Sequence, residues 1–284
     1  MVYALISVFN PKEYIVDNVS IISRQVDKVF ISDNSTGNNE KMFNALNNSV
    51  YLYNEGNLGL SQAFNKVLKT YDFNNNDYIF FFDQDSRVTA NHILDMINNY
   101  ATLEKLKKRI GCIGPFFFNT SSNKIERPKA GIKVIDGIYR VKSVITSSML
   151  CKYGTLKDVN FWNEDIFLDM ADWDLCWRMM KNKYGCYMTD NVIMEHTLGL
   201  GENHIGKFRV KIGNPIREYY QTRDCQYLLW KSYTPLKFRI RFILMLTLRP
   251  VIHSLFLDNV KDRKKYIKRG KKDYRLRIHG EYKD

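Results

Sequence analysis

Residues 78–86 read Tyr78-Ile79-Phe80-Phe81-Phe82-Asp83-Gln84-Asp85-Ser86. An unbroken apolar run, with no alternation, indicates a short strand buried on both faces, as inside a parallel sheet. Two carboxylates two positions apart then fall at its carboxyl end. As the chain turns there, both can aim at one divalent ion. Hard oxygen ligands suit Mg²⁺ or Mn²⁺, which would bridge diphosphate oxygens. A strand-ending Asx turn is the competing reading, because aspartate is common in turns.

Upstream of that stretch, strand and helix signals alternate. Residues 3–9 form an apolar β-rich run stopped by Asn10-Pro11, and residues 13–24 have helical spacing through Ile15, Val19 and Ile22. Residues 29–32 are a second strand, ending at Asp33-Asn34-Ser35. A short helix over 41–47, a strand over 50–54 and a helix opened by Gly56-Asn57-Leu58-Gly59 complete the series. This order predicts an α/β fold, a Rossmann-like, mostly parallel central sheet flanked by helices. Ligands of such sheets bind beyond the carboxyl ends of the strands, where Asn10, Asp33, Asn54 and Asp83 fall. Downstream, residues 110–118 are apolar, 141–150 have strand character, 172–183 an amphipathic helical pattern, and 186–195 a strand pattern. Residues 196–214, with Gly199, Gly201, Gly206 and Gly213, read as a mobile loop.

Several classes are disfavoured. No G-x-x-x-x-G-K-[ST] is present, and no G-x-G-x-x-G follows the first strand, which argues against P-loop nucleotidases and dinucleotide enzymes. The cysteines (Cys112, Cys151, Cys176, Cys186, Cys225) are odd in number and include no CxxC pair. Neither a zinc framework nor a disulfide ladder is expected, and a reducing cytosol fits best. No secretory signal and no run of eighteen uncharged apolar residues is evident. At 45% hydrophobic and 14% aromatic residues, the chain can bury a sizeable core.

The net charge of +13 is concentrated in residues 231–284, which hold 16 Lys+Arg and 5 Asp+Glu. From Pro235, Lys237, Arg239, Arg241 and Arg249 interleave with Phe238, Ile240, Phe242 and Leu244; Pro250 interrupts, and residues 261–277 are strongly cationic. This is too charged and broken to span a bilayer. It suits amphipathic helices on an anionic membrane surface. A helical pair packed on the catalytic domain, with a solvated basic face, is the alternative. No RNP, KH or zinc pattern accompanies the charge, so no nucleic-acid partner is expected.

Taken in order, Ser7-Val8-Phe9-Asn10-Pro11, Ile31-Ser32-Asp33-Asn34-Ser35, Asn54-Glu55-Gly56-Asn57-Leu58-Gly59 and Phe82-Asp83-Gln84-Asp85-Ser86 resemble glycosyltransferase family 2. Ile166-Phe167-Leu168-Asp169-Met170-Ala171-Asp172-Trp173, His196-Thr197-Leu198-Gly199 and residues 217–224 resemble its bacterial rhamnosyltransferase group. The resemblance runs over about residues 3–225. It implies a GT-A fold and an inverting, metal-assisted displacement at the anomeric carbon. Asp33 would hold the nucleoside, with Phe9, Asn10 and Asn57 lining base and ribose. Gln84 would belong to the donor site, Asp83 would touch ribose or sugar, and Asp85 would bind the metal. Asp172 matches the catalytic base. The family's usual acid just before it is Ala171 here, and Asp169 supplies a carboxylate three residues earlier. His196 stands where a contact to metal or diphosphate is expected.

From the residues alone, several of these have plainer readings. Asp172 opens a helix, where N-capping competes with proton abstraction. Asp174 reads as first-turn electrostatics. Trp162 and Trp173 could stack on an acceptor sugar or pack in the core. His196 could be a structural hydrogen-bonder, and Arg217 and Arg223 could clamp phosphate or line a solvated helix face.

The organisation expected is therefore a catalytic domain over residues 1–230 and a basic helical tail over 231–284. Its nucleotide-sugar half would cover about residues 1–110 and its acceptor half about 111–230. The expected reaction moves rhamnose from dTDP-L-rhamnose to a polyprenyl-diphosphate-linked saccharide. The enzyme would be cytoplasmic, peripheral on the inner face of the membrane, and compatible with an oligomer. Transfer of galactofuranose, glucose or an N-acetylhexosamine from a UDP donor is the nearest alternative. A sugar-nucleotide nucleotidyltransferase is one from another class, but Asn10-Pro11-Lys12-Glu13 is not its Gly-rich, Arg-containing loop.

Overall fold

The computed structural model describes residues 1–119, 123–128, 130–196, 202–205, 208–211, 214–256 and 259–283; side chains are not described at 196, 202–205, 208–211, 254 and 256. In chain order the first half is β1 (Val2–Val8), α1 (Tyr14–Ser23), β2 (Lys28–Asp33), α2 (Glu40–Phe43), β3 (Ser49–Tyr53), α3 (Gly59–Thr70), β4 (Tyr78–Asp83) and α4 (His92–Lys105). The second half is β5 (Ile110–Asn119), β6 (Lys124–Glu126), β7 (Ile132–Ile135), β8 (Ile138–Val141), β9 (Met149–Lys152), α5 (Tyr153–Asp158), α6 (Ala171–Lys181) and β10 (Gly185–His196). It continues through β11 (Glu202–Ile205), β12 (Phe208–Lys211), α7 (Arg217–Leu229), α8 (Leu236–Phe256) and α9 (Val260–Arg275).

The sheet order is β3-β2-β1-β4-β9-β5-β10-β8-β7, with β6 on β5. β3, β2, β1 and β4 run parallel, and β9 is antiparallel to β4 and β5. β4 explains the arrangement. Its Ile79 and Phe81 join one core with Phe64 and Leu68 of α3. Phe80 and Phe82 join the other, with Val19 of α1 and Met96 and Tyr100 of α4. A strand covered on both faces has no polar side to show, hence its unbroken apolar run. Truncating Phe82 to alanine at such a site costs about 3–5 kcal/mol.

The alternation expected for the first half is present, with α4 in addition. Elsewhere three expectations change. Residues 142–148 are not strand: β8 ends before them, β9 begins after them, and Ser148 turns the chain with φ +61°. Residues 196–214 are not simply a loop, because β11 and β12 pair antiparallel within them. Pro250 does not end a helix, since α8 runs through it.

The tail is not a free appendage. Glu218 of α7 is buried and accepts from Arg263 of α9 and pairs with His253 of α8. Tyr219 donates to Asp273 at 2.8 Å. Burial disfavours a charged Glu218, but the hydrogen bond to His253 and the charges of Arg249, His253 and Arg263 outweigh it and hold its pKa low.

Candidate active site

The parallel strands end on one edge, and register fixes what meets there. Val8 pairs with Asp33, Ser7 with Asp83, and Asp33 with Tyr53. The loops leaving this edge are tied to one another. The amide of Phe9 donates to Gln84 Oε1 at 2.8 Å, and that of Asn10 to Ser35 Oγ at 2.6 Å. Asn34 accepts from Asn54 Nδ2 (3.0 Å) and donates to the Gly59 carbonyl (3.2 Å). Asn10, Glu55, Gly56 and Gly59 all have positive φ. Such a concentration of strained backbone is typical of sites that present main chain to a ligand. Phe9 and Asn10 are exposed at the edge, and Asn57 is half-buried, accepting from the Gly59 amide.

The acidic residues of this edge differ in their freedom. Asp33 is fully buried; its oxygens accept from the Ser35 amide, Asn39 Nδ2 and Tyr51 Oη. In this arrangement the carboxylate orders residues 34–39. Asp83 is half-buried and accepts from Ser147 Oγ. Asp85 is exposed and is not in any hydrogen bond or ion pair among the described residues.

Opposite them lies the start of α6. Met170 occupies the position before the helix with φ +71° and no side-chain cap, so Asp172 sits in the first turn, not at the cap. Its Oδ1 accepts from the Trp173 amide at 2.7 Å. Burial, then the neighbouring Cys176, Asp83 and Asp169, push the Asp172 carboxyl up to about 8, against the opposing pull of that amide. Asp83 and Asp172 thus share one electrostatic neighbourhood. No described cation forms an ion pair with Asp172.

Asp169, Asp174 and Asp224 each have one. Asp169 is held by Arg217, and Gln221 Nε2 donates to it at 2.9 Å. Asp174, fully buried, accepts from Arg178, Asn163 and Tyr233, which makes it a structural anchor and not first-turn decoration. Asp224, also fully buried, pairs with Arg223 and accepts from the Phe167 amide at 2.9 Å, fixing the chain just ahead of Asp169.

The two arginines expected as phosphate clamps differ in their surroundings. Arg223 is fully buried among Asp224, Tyr219 and the Gly280 carbonyl, and cannot reach a ligand. Arg217 pairs with Asp169 while its side chain stays partly exposed. Trp173 packs against Trp177 and Phe238 with Arg241 over its ring, and Trp162 is buried on Phe64 and Phe81, so neither presents an open stacking face. His196 ends β10 beside Asn119; its side chain lies outside the described residues. Arg87, just past Asp85, bridges to Glu195, which brings the end of β10 to the Asp83–Asp85 turn. A cavity of about 560 Å³ opens beside Asn57, between residues 54–58 and 278–283, and touches none of Asp83, Asp85 or Asp172.

The family model described as glycosyl transferase family 2 matches residues 3–146, half of the chain. The chain belongs to glycosyltransferase family 2. Over 94% of its length this family member is 26% identical to the dTDP-rhamnosyl transferase RfbF of Shigella flexneri, covering 92% of that protein. Among solved structures it is similar to GalNAc-T7 with UDP, GalNAc and Mn²⁺ (TM-score 0.60, 12% identity) and to Staphylococcus aureus TarS (TM-score 0.51, 13% identity). It covers 98% of itself on the first but spans 57% of that longer chain, and 94% of itself and 55% of the TarS chain. These likenesses establish the fold as GT-A.

Ser147, Tyr51 and Gln221 are contacts that sequence reasoning missed. Ser147 lies 64 positions from Asp83 and inside a run that resembled a strand, so no local signal marked it. The thiols of Cys112, Cys176 and Cys186 also converge, all within 4.8 Å. They are fully buried, and Cys176 and Cys186 point their sulfurs at the Val144 and Cys176 carbonyls, as core thiols do.

Proposed function

We propose that this glycosyltransferase moves rhamnose from dTDP-L-rhamnose to a hydroxyl of a lipid-linked saccharide, with inversion, during surface-polysaccharide synthesis. The observation that carries the reading is Asp172: a carboxyl with no ion pair among the described residues, raised towards neutrality, and within the electrostatic influence of Asp83 at the strand edge. A base with a pKa near the working pH is suited to accept a proton as a bond forms. In the displacement, the acceptor oxygen bonds to the anomeric carbon, the carbon–oxygen bond to the diphosphate breaks, and the acceptor proton passes to Asp172. Asp83, oriented by Ser147, would fix the donor's ribose or sugar. The likeness to a dTDP-rhamnosyl transferase over nearly the whole chain supports the donor.

The residues at the edge fit a divalent ion. Mg²⁺ and Mn²⁺ take one or two protein carboxylates, leaving the remaining positions to water and substrate phosphate. Asp85, exposed and unpaired among the described residues, provides such a carboxylate, and the position of His196 beside the same turn suits a second ligand. When bound, the ion would offset the charge of the departing diphosphate.

The test is release of nucleoside diphosphate, followed by mass spectrometry, with dTDP-L-rhamnose or UDP-sugars and with or without Mn²⁺. The expected outcome is Mn²⁺-dependent dTDP release that Asp85→Ala lowers by about 10²-fold or more. Release of UDP from a UDP-sugar, with none from dTDP-L-rhamnose, would assign the donor to the other class.

A further inference from the structure

α8 has two apolar faces, and among the described residues only one is covered. Phe238 and Phe242 pack inward on Trp173 and Trp177 of α6, while Arg249 and His253 reach α7 on the same side. Ile240, Ile243, Leu244, Leu248, Val251 and Leu255 recur every three or four residues along the opposite side, each between 47% and 69% exposed. A soluble surface rarely leaves a stripe of that extent to water. No helix among the described residues is long and apolar enough to cross a membrane, so the stripe is not part of a span.

Charge indicates what covers it. Lys237 and Arg241 are exposed on α8. On α9, Ile267 and Gly270 are buried, whereas Lys261, Lys264, Lys268 and Lys272 are exposed. A second copy of this face would set cations against cations, in a segment with 16 Lys+Arg and 5 Asp+Glu. An anionic lipid surface offers both what the stripe lacks and what the lysines attract.

We propose that α8 lies in the plane of an anionic bilayer, its outward stripe among the acyl chains and the lysines of α9 against the phosphate headgroups. The helix would then lie flat over about 30 Å. Its inner side is connected to the reaction centre: Arg249 donates to Gln221 Oε1, and Gln221 donates to Asp169. The seating does not rest on the donor or acceptor assigned above.

Co-sedimentation of the full chain with phosphatidylcholine vesicles, with and without phosphatidylglycerol, tests this. The protein is expected to pellet with the phosphatidylglycerol vesicles and to be released by salt. Leu244→Glu/Leu248→Glu and Lys261→Glu/Lys264→Glu/Lys268→Glu should each lower the bound-to-free ratio on the order of tenfold with an unchanged melting temperature. Absence of wild-type binding, or variants that bind as the wild type does, overturns the proposal. So does a wild-type dimer in sedimentation velocity that Leu244→Glu/Leu248→Glu converts to monomer. The vesicles contain no nucleotide sugar, so failure here leaves the transfer reaction standing.

Discussion

The strand edge and the start of α6 both collect aspartates, but they use them differently. At the edge, direction comes from the sheet: parallel strands end together, so Asp33, Asp83 and Asp85 share one side of the molecule whatever their partners. Around α6, four aspartates lie within ten residues, and helix geometry alone does not separate them. Partners do. Asp174 is taken by Arg178 and Asp169 by Arg217, Asp165 has His279 beside it, and Asp172 keeps a half-buried carboxyl with no ion pair among the described residues. In the proposed reaction, position suits the edge to binding, whereas the lack of a described counter-charge suits Asp172 to act as the base.

That contrast can be broken most directly at Asp172. Asp172→Asn should lower kcat by about 10²–10⁴-fold while donor affinity, measured by calorimetry, is retained. Full turnover by this variant would move the base elsewhere. A next-smaller effect separates a buried anchor from a ligand contact. Arg223→Met strands Asp224 in the core, where burial already pushes its carboxyl up to about 7 despite Arg223. The expected loss is about 3–5 kcal/mol of unfolding free energy in urea. A fold of unchanged stability, combined with a higher KM for the donor, would restore Arg223 as a phosphate clamp.

The smallest effect sharpens the comparison through pH. Asp172 binds its proton more tightly when folded than when unfolded, about 8 against a reference near 4. Its contribution to stability is therefore complete below about pH 4 and is lost as the pH rises through about 8. Asp172→Asn, which cannot ionise, should melt higher than the wild type at pH 9 by about 2–4 °C and match it in acid. The wild-type kcat/KM should climb as the pH approaches 8, since the base must be unprotonated to act. A flat profile would contradict the raised pKa.

The strand edge was legible in the sequence because its signals are local. An apolar run stopped by a polar residue marks a strand end, and Asn10, Asp33 and Asp83 each carry that mark. The α6 region was not, because what separates Asp169 from Asp172 is an arginine 48 positions away. Arg223 shows the same limit: an arginine next to an aspartate on a helix resembles a solvated pair until the C-terminal segment is seen to cover it. α4 shows another kind of miss. Its Ile93, Met96, Tyr100 and Leu103 have helical spacing, and it is a long element that the strand-centred reading passed over. The tail's charge was evident, but its docking through Glu218 and Asp273 depends on contacts no composition reveals.

The glycine that opens α3 has a wider consequence. Gly59 holds φ +77°, and a Cβ there would lie 2.4 Å from the Phe167 carbonyl, which instead accepts from the Leu60 amide at 2.7 Å. Asn65, one turn on, exchanges hydrogen bonds with the Trp162 main chain. These contacts weld the donor edge to the segment that leads into α6, with no room for a hinge at the seam. In the proposed reaction, the relative orientation of the edge carboxylates and Asp172 would be set when the chain folds, and its entropic cost would lie in the folding free energy and not in the reaction barrier.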